Sequence, residues 1–124
     1  EENISLRITA KGTQQKLIGD EKLLNQVMIN LLNNAIDALK YAENKKIVIG
    51  VSEDTTGRFK ISISDNGKGI PPEEMDKIFI PFYTTKENGS GIGLSLSRKI
   101  MRLHKGSISV FSKPGEQTGF VLSF

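Results

Sequence analysis

The chain contains no cysteine, so neither a disulfide framework nor a thiolate metal site is open to it, and nothing in it demands an oxidising compartment. No apolar run approaches the roughly 20 residues that span a bilayer, and Glu1-Glu2-Asn3 is not the start of a signal peptide, so a soluble chain without membrane contact is expected. Repeats, low-complexity tracts and linkers are missing. The excess charge is small, +3, with Lys and Arg scattered among acids instead of gathered in a stripe, which gives no footprint for nucleic acid. Histidine occurs once, at His104, leaving a single candidate for imidazole chemistry. What 124 residues do allow is one core, since about two-thirds of the unfolded surface is buried at this size; residues 1–124 are read as a single domain.

Ile4, Leu6 and Ile8 alternate with Ser5, Arg7 and Thr9, the pattern of a half-buried strand, and residues 15–18 fit a second short one. Asp20 is placed to cap a helix from Glu21 to about Lys40, in which Leu24, Met28, Leu31, Leu32, Ala35 and Leu39 recur at helical spacing. Ile47, Ile49 and Val51, then Phe59, Ile61 and Ile63, alternate on either side of a turn at residues 54–57. That hairpin delivers Asp65 to a strand end. Past Pro71-Pro72 come a short helix, a loop from about residue 81 to 91, and a helix through Ile92, Leu96, Ile100 and Leu103. A closing hairpin runs from Ile108 and Val110, past Pro114-Gly115, into residues 120–124. Helices and mostly antiparallel strands in separate blocks predict an α+β, two-layer α/β sandwich and not a parallel βαβ fold.

Asn25, Asn30, Asn33 and Asn34 sit inside the first helix, where each costs roughly 0.6 kcal/mol relative to Ala. Asn30 and Asn34 are one turn apart on one face, about a quarter turn from the stripe of Leu24, Met28, Leu31 and Ala35, at the edge of the core. An amide oxygen there suits magnesium, which prefers oxygen ligands and keeps waters and phosphate oxygens. Asn25 and Asn33 are as well explained by a solvated face. The run Asp65-Asn66-Gly67-Lys68-Gly69-Ile70 is by itself a turn signal, yet a carboxylate at a strand end beside glycines is also an acceptor for an amine. Gly89-Ser90-Gly91-Ile92-Gly93-Leu94 precedes a helix, whose bare N–H groups and positive end suit phosphate. It follows a loop rich in Thr, Lys and Asn instead of an early strand, which argues against a dinucleotide fingerprint.

In order and spacing these three segments resemble the N box, first glycine box and second glycine box of the GHKL ATP-binding fold, and specifically the catalytic ATP-binding domain of sensor histidine kinases. The resemblance covers nearly the whole chain. It implies a Bergerat fold, a mixed, mostly antiparallel sheet packed under about three helices with an ATP lid, and it implies ATP and Mg2+ as ligands. By the same resemblance Asn34 is the metal-binding asparagine, with Asn30 a further candidate ligand. Asp65 would accept from the exocyclic amine of adenine, a charge-assisted bond worth about 1.5 to 3 kcal/mol that disfavours guanine. Gly67, Gly69 and Ile70 would lie about the base, and Gly89, Ser90, Gly91, Ile92, Gly93 and Leu94 would form the lid and phosphate segment. Lys86 would add a point charge, and Asn30, Asn34 and Lys86 are the residues expected to carry catalysis. Phe79, Phe82 and Thr84-Thr85-Lys86 resemble the F box, with both phenylalanines read as core anchors of the lid base. Tyr83 is left open between packing and nucleotide contact.

Thr118 and Phe120 resemble the final box, usually Gly-x-Gly-Thr-x-Phe, with Gly115 in the first place but Gln117 where the second glycine is expected. Thr118 is the candidate for a second polar group near adenine. Asp37 stands where many sensor kinases place a cation, so phosphate charge is left to Lys86, the lid N–H groups, magnesium, and Lys40 or Arg98. Asn30 occupies the position where ATP-hydrolysing relatives such as gyrase and the MutL repair protein carry a glutamate base. An amide cannot take a proton from water, so the resemblance implies transfer over hydrolysis. His104, before Lys105-Gly106, is read as a helix C-terminal cap and not as a phosphoacceptor. The family's acceptor histidine lies in a preceding dimerisation domain absent from this chain, which passes the phosphoryl group to an aspartate on a response regulator. The implied partners are therefore that dimerisation and histidine phosphotransfer domain directly and a receiver domain indirectly, with this domain cytoplasmic and the parent protein, as often in the family, membrane-anchored. Two alternatives remain: an ATP-sensing regulatory module without transfer, and a serine-directed kinase of the anti-sigma-factor type, whose acidic base Asn30 does not match.

Overall fold

The alternation of strand-forming and helix-forming blocks produces two layers in the computed structural model, which describes residues 3–10, 18–84 and 91–124. The elements are β1 (Ser5–Ala10), α1 (Glu21–Ala38), β2 (Lys46–Glu53), β3 (Phe59–Asp65), α2 (Pro72–Met75), α3 (Gly93–Leu103), β4 (Ser107–Lys113) and β5 (Gln117–Ser123). One five-stranded sheet has the order β1-β2-β3-β5-β4, parallel between β1 and β2 and antiparallel elsewhere. The expected α+β sandwich with a mixed, mostly antiparallel sheet is what forms.

Local chemistry explains the boundaries. Asp20 starts α1 by accepting the Leu23 N–H at 3.1 Å, and the helix ends at Ala38 with Leu39 as its C-cap. The β2–β3 turn closes because Asp54 Oδ1 accepts from the N–H groups of Thr56 and Arg58, each at 2.9 Å, while Gly57 takes a φ of +84°. These bonds and the Thr56 hydroxyl, the strongest of the causes, hold the Asp54 carboxyl below its ordinary range. In the sheet register, Ile47 faces Asp65 and Ile49 faces Ile63. One face of the hairpin is therefore apolar and ends in a carboxylate. Val27, Leu31, Ala35 and Leu39 from the α1 region join that face in the core, α1 lying over β3, and Ile100 and Met101 of α3, which lies over β4, complete the same cluster. Each of these buried Val, Leu, Ile and Met side chains contributes about 1.5 to 3 kcal/mol, Ala35 less.

Three expectations change. β1 is exposed along its length instead of half-buried, with Leu6 57% and Ile8 64% accessible, because it is an outer strand while α1 lies over β3 and α3 over β4. The buried face of α3 is Ser97, Ile100 and Met101, whereas Leu96 and Leu103 of the expected stripe are exposed. Phe82 is not a core anchor: it is 77% accessible with a φ of +70°, while Phe79 does pack on the core. Residues 15–17 of the expected second strand and 85–90 of the expected loop lie outside the described residues.

Candidate functional site

One face of α1 gathers the three sequence segments. Asn30 Nδ2 donates to the Gly93 carbonyl and to Ser97 Oγ, both at 3.2 Å, and its Oδ1 accepts from Gln26 Nε2 at 3.0 Å. Ser97, fully buried, donates in turn to the Gly93 carbonyl at 2.8 Å. Two turns further on, the Ala38 carbonyl accepts the Lys68 N–H at 3.4 Å, and a Cβ on Gly67 would overlap that same carbonyl. Asn34 lies half-buried on the same face between them. Residues 30, 34 and 38 thus form a column of about 12 Å with the start of α3 at one end and the Asp65 loop at the other.

At the Asp65 end the carboxylate is 7% accessible. Its Oδ1 accepts the Gly67 N–H at 2.9 Å, whereas among the described residues no hydrogen bond engages Oδ2. Among the described residues no fully buried side-chain oxygen or nitrogen lacks a partner, so Oδ2 is not completely sealed from the surface. Burial pushes the Asp65 carboxyl up to about 6 from 3.8, against the opposing pull of the Gly67 N–H. A group arranged in this way accepts a hydrogen bond from an amine readily, because the donor restores the solvation that burial removed.

Thr118 stands directly across the sheet from Asp65 and is 5% accessible. Its Oγ1 lies 3.2 Å from Ser112 Oγ, which accepts the Ile70 N–H at 2.7 Å and donates to the Gln117 carbonyl at 2.9 Å. The Gly115 N–H donates to the Lys68 carbonyl at 2.6 Å. Gly69 has a φ of +75°, and a Cβ on it would lie 2.6 Å from the Lys113 carbonyl oxygen. The 65–70 loop is therefore fastened to the β4–β5 turn, and the space that its glycines leave is filled by protein backbone. Asn66 serves β2 instead of the cleft, donating to the Asn44 carbonyl at 2.9 Å and accepting the Lys46 N–H at 2.8 Å.

On the opposite side, the Phe82 N–H donates to the Gly91 carbonyl at 2.8 Å, and Gly91 has a φ of +76° where a Cβ would overlap the Phe82 backbone. The two flanks of the 85–90 segment are thereby held together. The Tyr83 hydroxyl donates to Glu74 Oε1 at 2.6 Å; that bond, with burial and the acid's charge, raises the phenol above its ordinary range. Arg98 lies with its guanidinium 4.9 Å over the Phe79 ring, and Lys40 sits over Tyr41. Ile92 caps α3 and is 43% accessible, while Leu94 packs on the core. Lys86, Gly89 and Ser90 lie outside the described residues.

His104 is the C-cap of α3. Its Nε2 accepts the Asp20 N–H at 3.0 Å, which places the ring proton on Nδ1, facing the Ile100 carbonyl at 2.8 Å. Both nitrogens are used, and the end of α3 is tied to the start of α1. No cluster of three or more His, Cys, Asp or Glu able to hold a metal occurs among the described residues. The donors present fit a cation held by an amide and by oxygens of its own ligand, not a protein cage. Gln26, Ser97 and Ser112 carry bonds in this site that no motif announced; a serine in a strand or helix has no distinguishing spacing.

A family model described as histidine kinase-, DNA gyrase B-, and HSP90-like ATPase matches residues 19–124. The sensor histidine kinase ZraS of Escherichia coli (strain K12) is 40% identical over 119 residues, which are 96% of this chain and 25% of ZraS. Among solved structures, the catalytic domain of the histidine kinase ThkA in a nucleotide-free form superposes with a TM-score of 0.84 at 34% identity, covering 98% of this chain and 78% of that one. Full-length ShkA in complex with AMPPNP gives 0.81 at 25% identity, covering 97% of this chain and 25% of its own. The chain thus spans a quarter of the length of curated relatives such as ZraS.

Proposed function

Because the chain belongs to the histidine kinase-, DNA gyrase B- and HSP90-like ATPase family, we propose that it is the ATP-binding catalytic domain of a sensor histidine kinase. In this reading it transfers the γ-phosphoryl group of ATP to a histidine on a separate dimerisation domain, for relay to a response regulator. The observation that carries the reading is the α1 column: a line of about 12 Å with a desolvated carboxylate at one end and a glycine-led helix start at the other matches a base linked to a polyphosphate. The complex of ShkA with AMPPNP supports the same ligand class.

Each residue then has a task. Asp65 Oδ2 accepts from the adenine amine, while the 65–70 loop, fastened to the β4–β5 turn, keeps the pocket from collapsing. Asn34, midway along the column, would hold magnesium together with phosphate oxygens, and the ion supplies charge neutralisation there. Asn30 holds the first turn of α3, and with it the N–H groups of the glycine segment, in place against α1; Lys86, Gly89 and Ser90 are assigned to the phosphate side by sequence. The amide of Asn30, donating to Gly93 and Ser97, takes no proton from water, which supports transfer over hydrolysis. Catalysis of this kind is mostly positioning and neutralisation.

The test is calorimetric titration with non-hydrolysable analogues of ATP and GTP, each with and without magnesium. Selective, magnesium-assisted binding of the adenine analogue is expected. Equal affinity for both, or none for either, would remove the adenine-site assignment. Phosphohistidine formation on the parent protein then tests the transfer step.

A further inference from the structure

We propose that Ser112 is a positioning residue that fixes the polarity of the base pocket by obliging Thr118 to present only lone pairs beside Asp65. The inference rests on the adenine-site reading above and adds a selectivity device to it.

The argument is a proton count. A serine hydroxyl carries one hydrogen and two acceptor lone pairs. The hydrogen of Ser112 goes to the Gln117 carbonyl at 2.9 Å. One lone pair takes the Ile70 N–H at 2.7 Å. Thr118 Oγ1, 3.2 Å away, is then the donor in the remaining contact, because Ser112 has no second hydrogen to offer. With its own hydrogen turned toward Ser112, Thr118 keeps only acceptor capacity for a ligand. Across the sheet, Asp65 Oδ1 is occupied by Gly67, and Oδ2 is a second acceptor. The Asp65–Thr118 pair therefore offers two acceptors and no hydroxyl donor, a combination that favours a 6-amino purine and opposes a 6-carbonyl in direct contact.

Ser112 also ties β4 to the 65–70 loop, so a purely structural role has to be told apart from the polar one. The measurement is the affinity ratio of non-hydrolysable ATP and inosine triphosphate analogues for the wild-type domain and for Ser112→Ala, Ser112→Thr and Thr118→Val. In Ser112→Ala the Thr118 hydroxyl is free to turn outward and donate to a carbonyl, so the adenine preference should fall about tenfold. Ser112→Thr should restore it. Thr118→Val, which keeps the shape and removes the acceptor, should lower the preference as well, and combining it with Ser112→Ala should lower it no further; this variant decides the matter if Ser112→Ala does not fold. Loss of affinity for both nucleotides with an unchanged ratio would reduce Ser112 to a structural brace and overturn the inference while leaving the adenine site standing. A wild-type domain that binds neither analogue would overturn the site reading and the inference together.

Discussion

At Gly67 an added Cβ would overlap the Ala38 carbonyl and at Gly69 it would lie 2.6 Å from the Lys113 oxygen, whereas at Gly93 the nearest atom is Asn30 Cγ at 3.7 Å, an ordinary contact. The first glycine segment is closed on by the protein's own backbone, from the end of α1 and from the β4–β5 turn. In the second segment Gly91 is likewise closed on, by the Phe82 backbone, and Gly93 alone meets its neighbour at ordinary contact distance. Gly67, Gly69 and Gly91 thus serve the fold, whereas Gly93 would accept a side chain without a clash. Sequence spacing treats them alike; the neighbouring backbone separates them.

The largest expected effect that would break this contrast is on Gly67→Ala. The overlap with a helix carbonyl cannot be relieved by a rotamer change, so a loss of about 3 kcal/mol or outright failure to fold is expected in urea denaturation. An unchanged midpoint would refute the packing role. Next is Asp65→Asn, which keeps an acceptor for Gly67 but loses the charge: affinity for the ATP analogue should drop roughly ten- to hundred-fold by calorimetry. The same variant sharpens the electrostatics. Because the folded carboxyl titrates near 6 and its unperturbed value is 3.8, the folded domain binds more protons in that window and loses stability as pH rises through it. Asp65→Asn should therefore gain on the wild type between those values, by about 3 kcal/mol, and keep that gain above them; parallel profiles would contradict the assignment.

Asn30→Asp removes the donors to Gly93 and Ser97 and sets a carboxylate against a carbonyl, at a cost of about 2 kcal/mol. Amide exchange should speed up in the first turn of α3 and not in the 65–70 loop; acceleration in both would show that the two ends of the column are not independently held. Gly93→Ala is the counterpart of Gly67→Ala. With no clash to meet and better helix propensity, the melting temperature should stay level or rise by the equivalent of up to about 1 kcal/mol, while nucleotide affinity falls. Smallest of all, Lys105 follows the end of α3 with a φ of +59°, and Lys105→Gly should gain a few tenths of a kcal/mol in thermal unfolding without touching binding.

Much of this organisation was legible from residue types. The cap at Asp20, the apolar stripe of α1 and the hairpin leading to Asp65 each follow from a local rule, and the observed boundaries fall within two residues of those readings. The rest depended on neighbours. β1 alternates like a half-buried strand, yet its parallel place at the outside of the sheet leaves Leu6 and Ile8 without a helix above them. In α3 a serine is buried in preference to Leu96 because Asn30 meets it there, a partner 67 residues away in sequence. Phe82 carries an aromatic side chain but takes the left-handed conformation that closes on Gly91, which turns it outward. Ser112 gave no signal, since its importance lies in three bonds made across strands and turns.

The α1 column also makes that helix a ruler. Asn30 and Ala38 must keep both their separation and their phase, because each is fastened to a different part of the chain. One residue inserted between them would advance everything downstream by about 1.5 Å and rotate it by about 100°, carrying the Ala38 carbonyl away from Lys68 and Asn34 away from the line that joins the two segments. The composition of the outward face of α1 is free to drift. Its length between those two points is not.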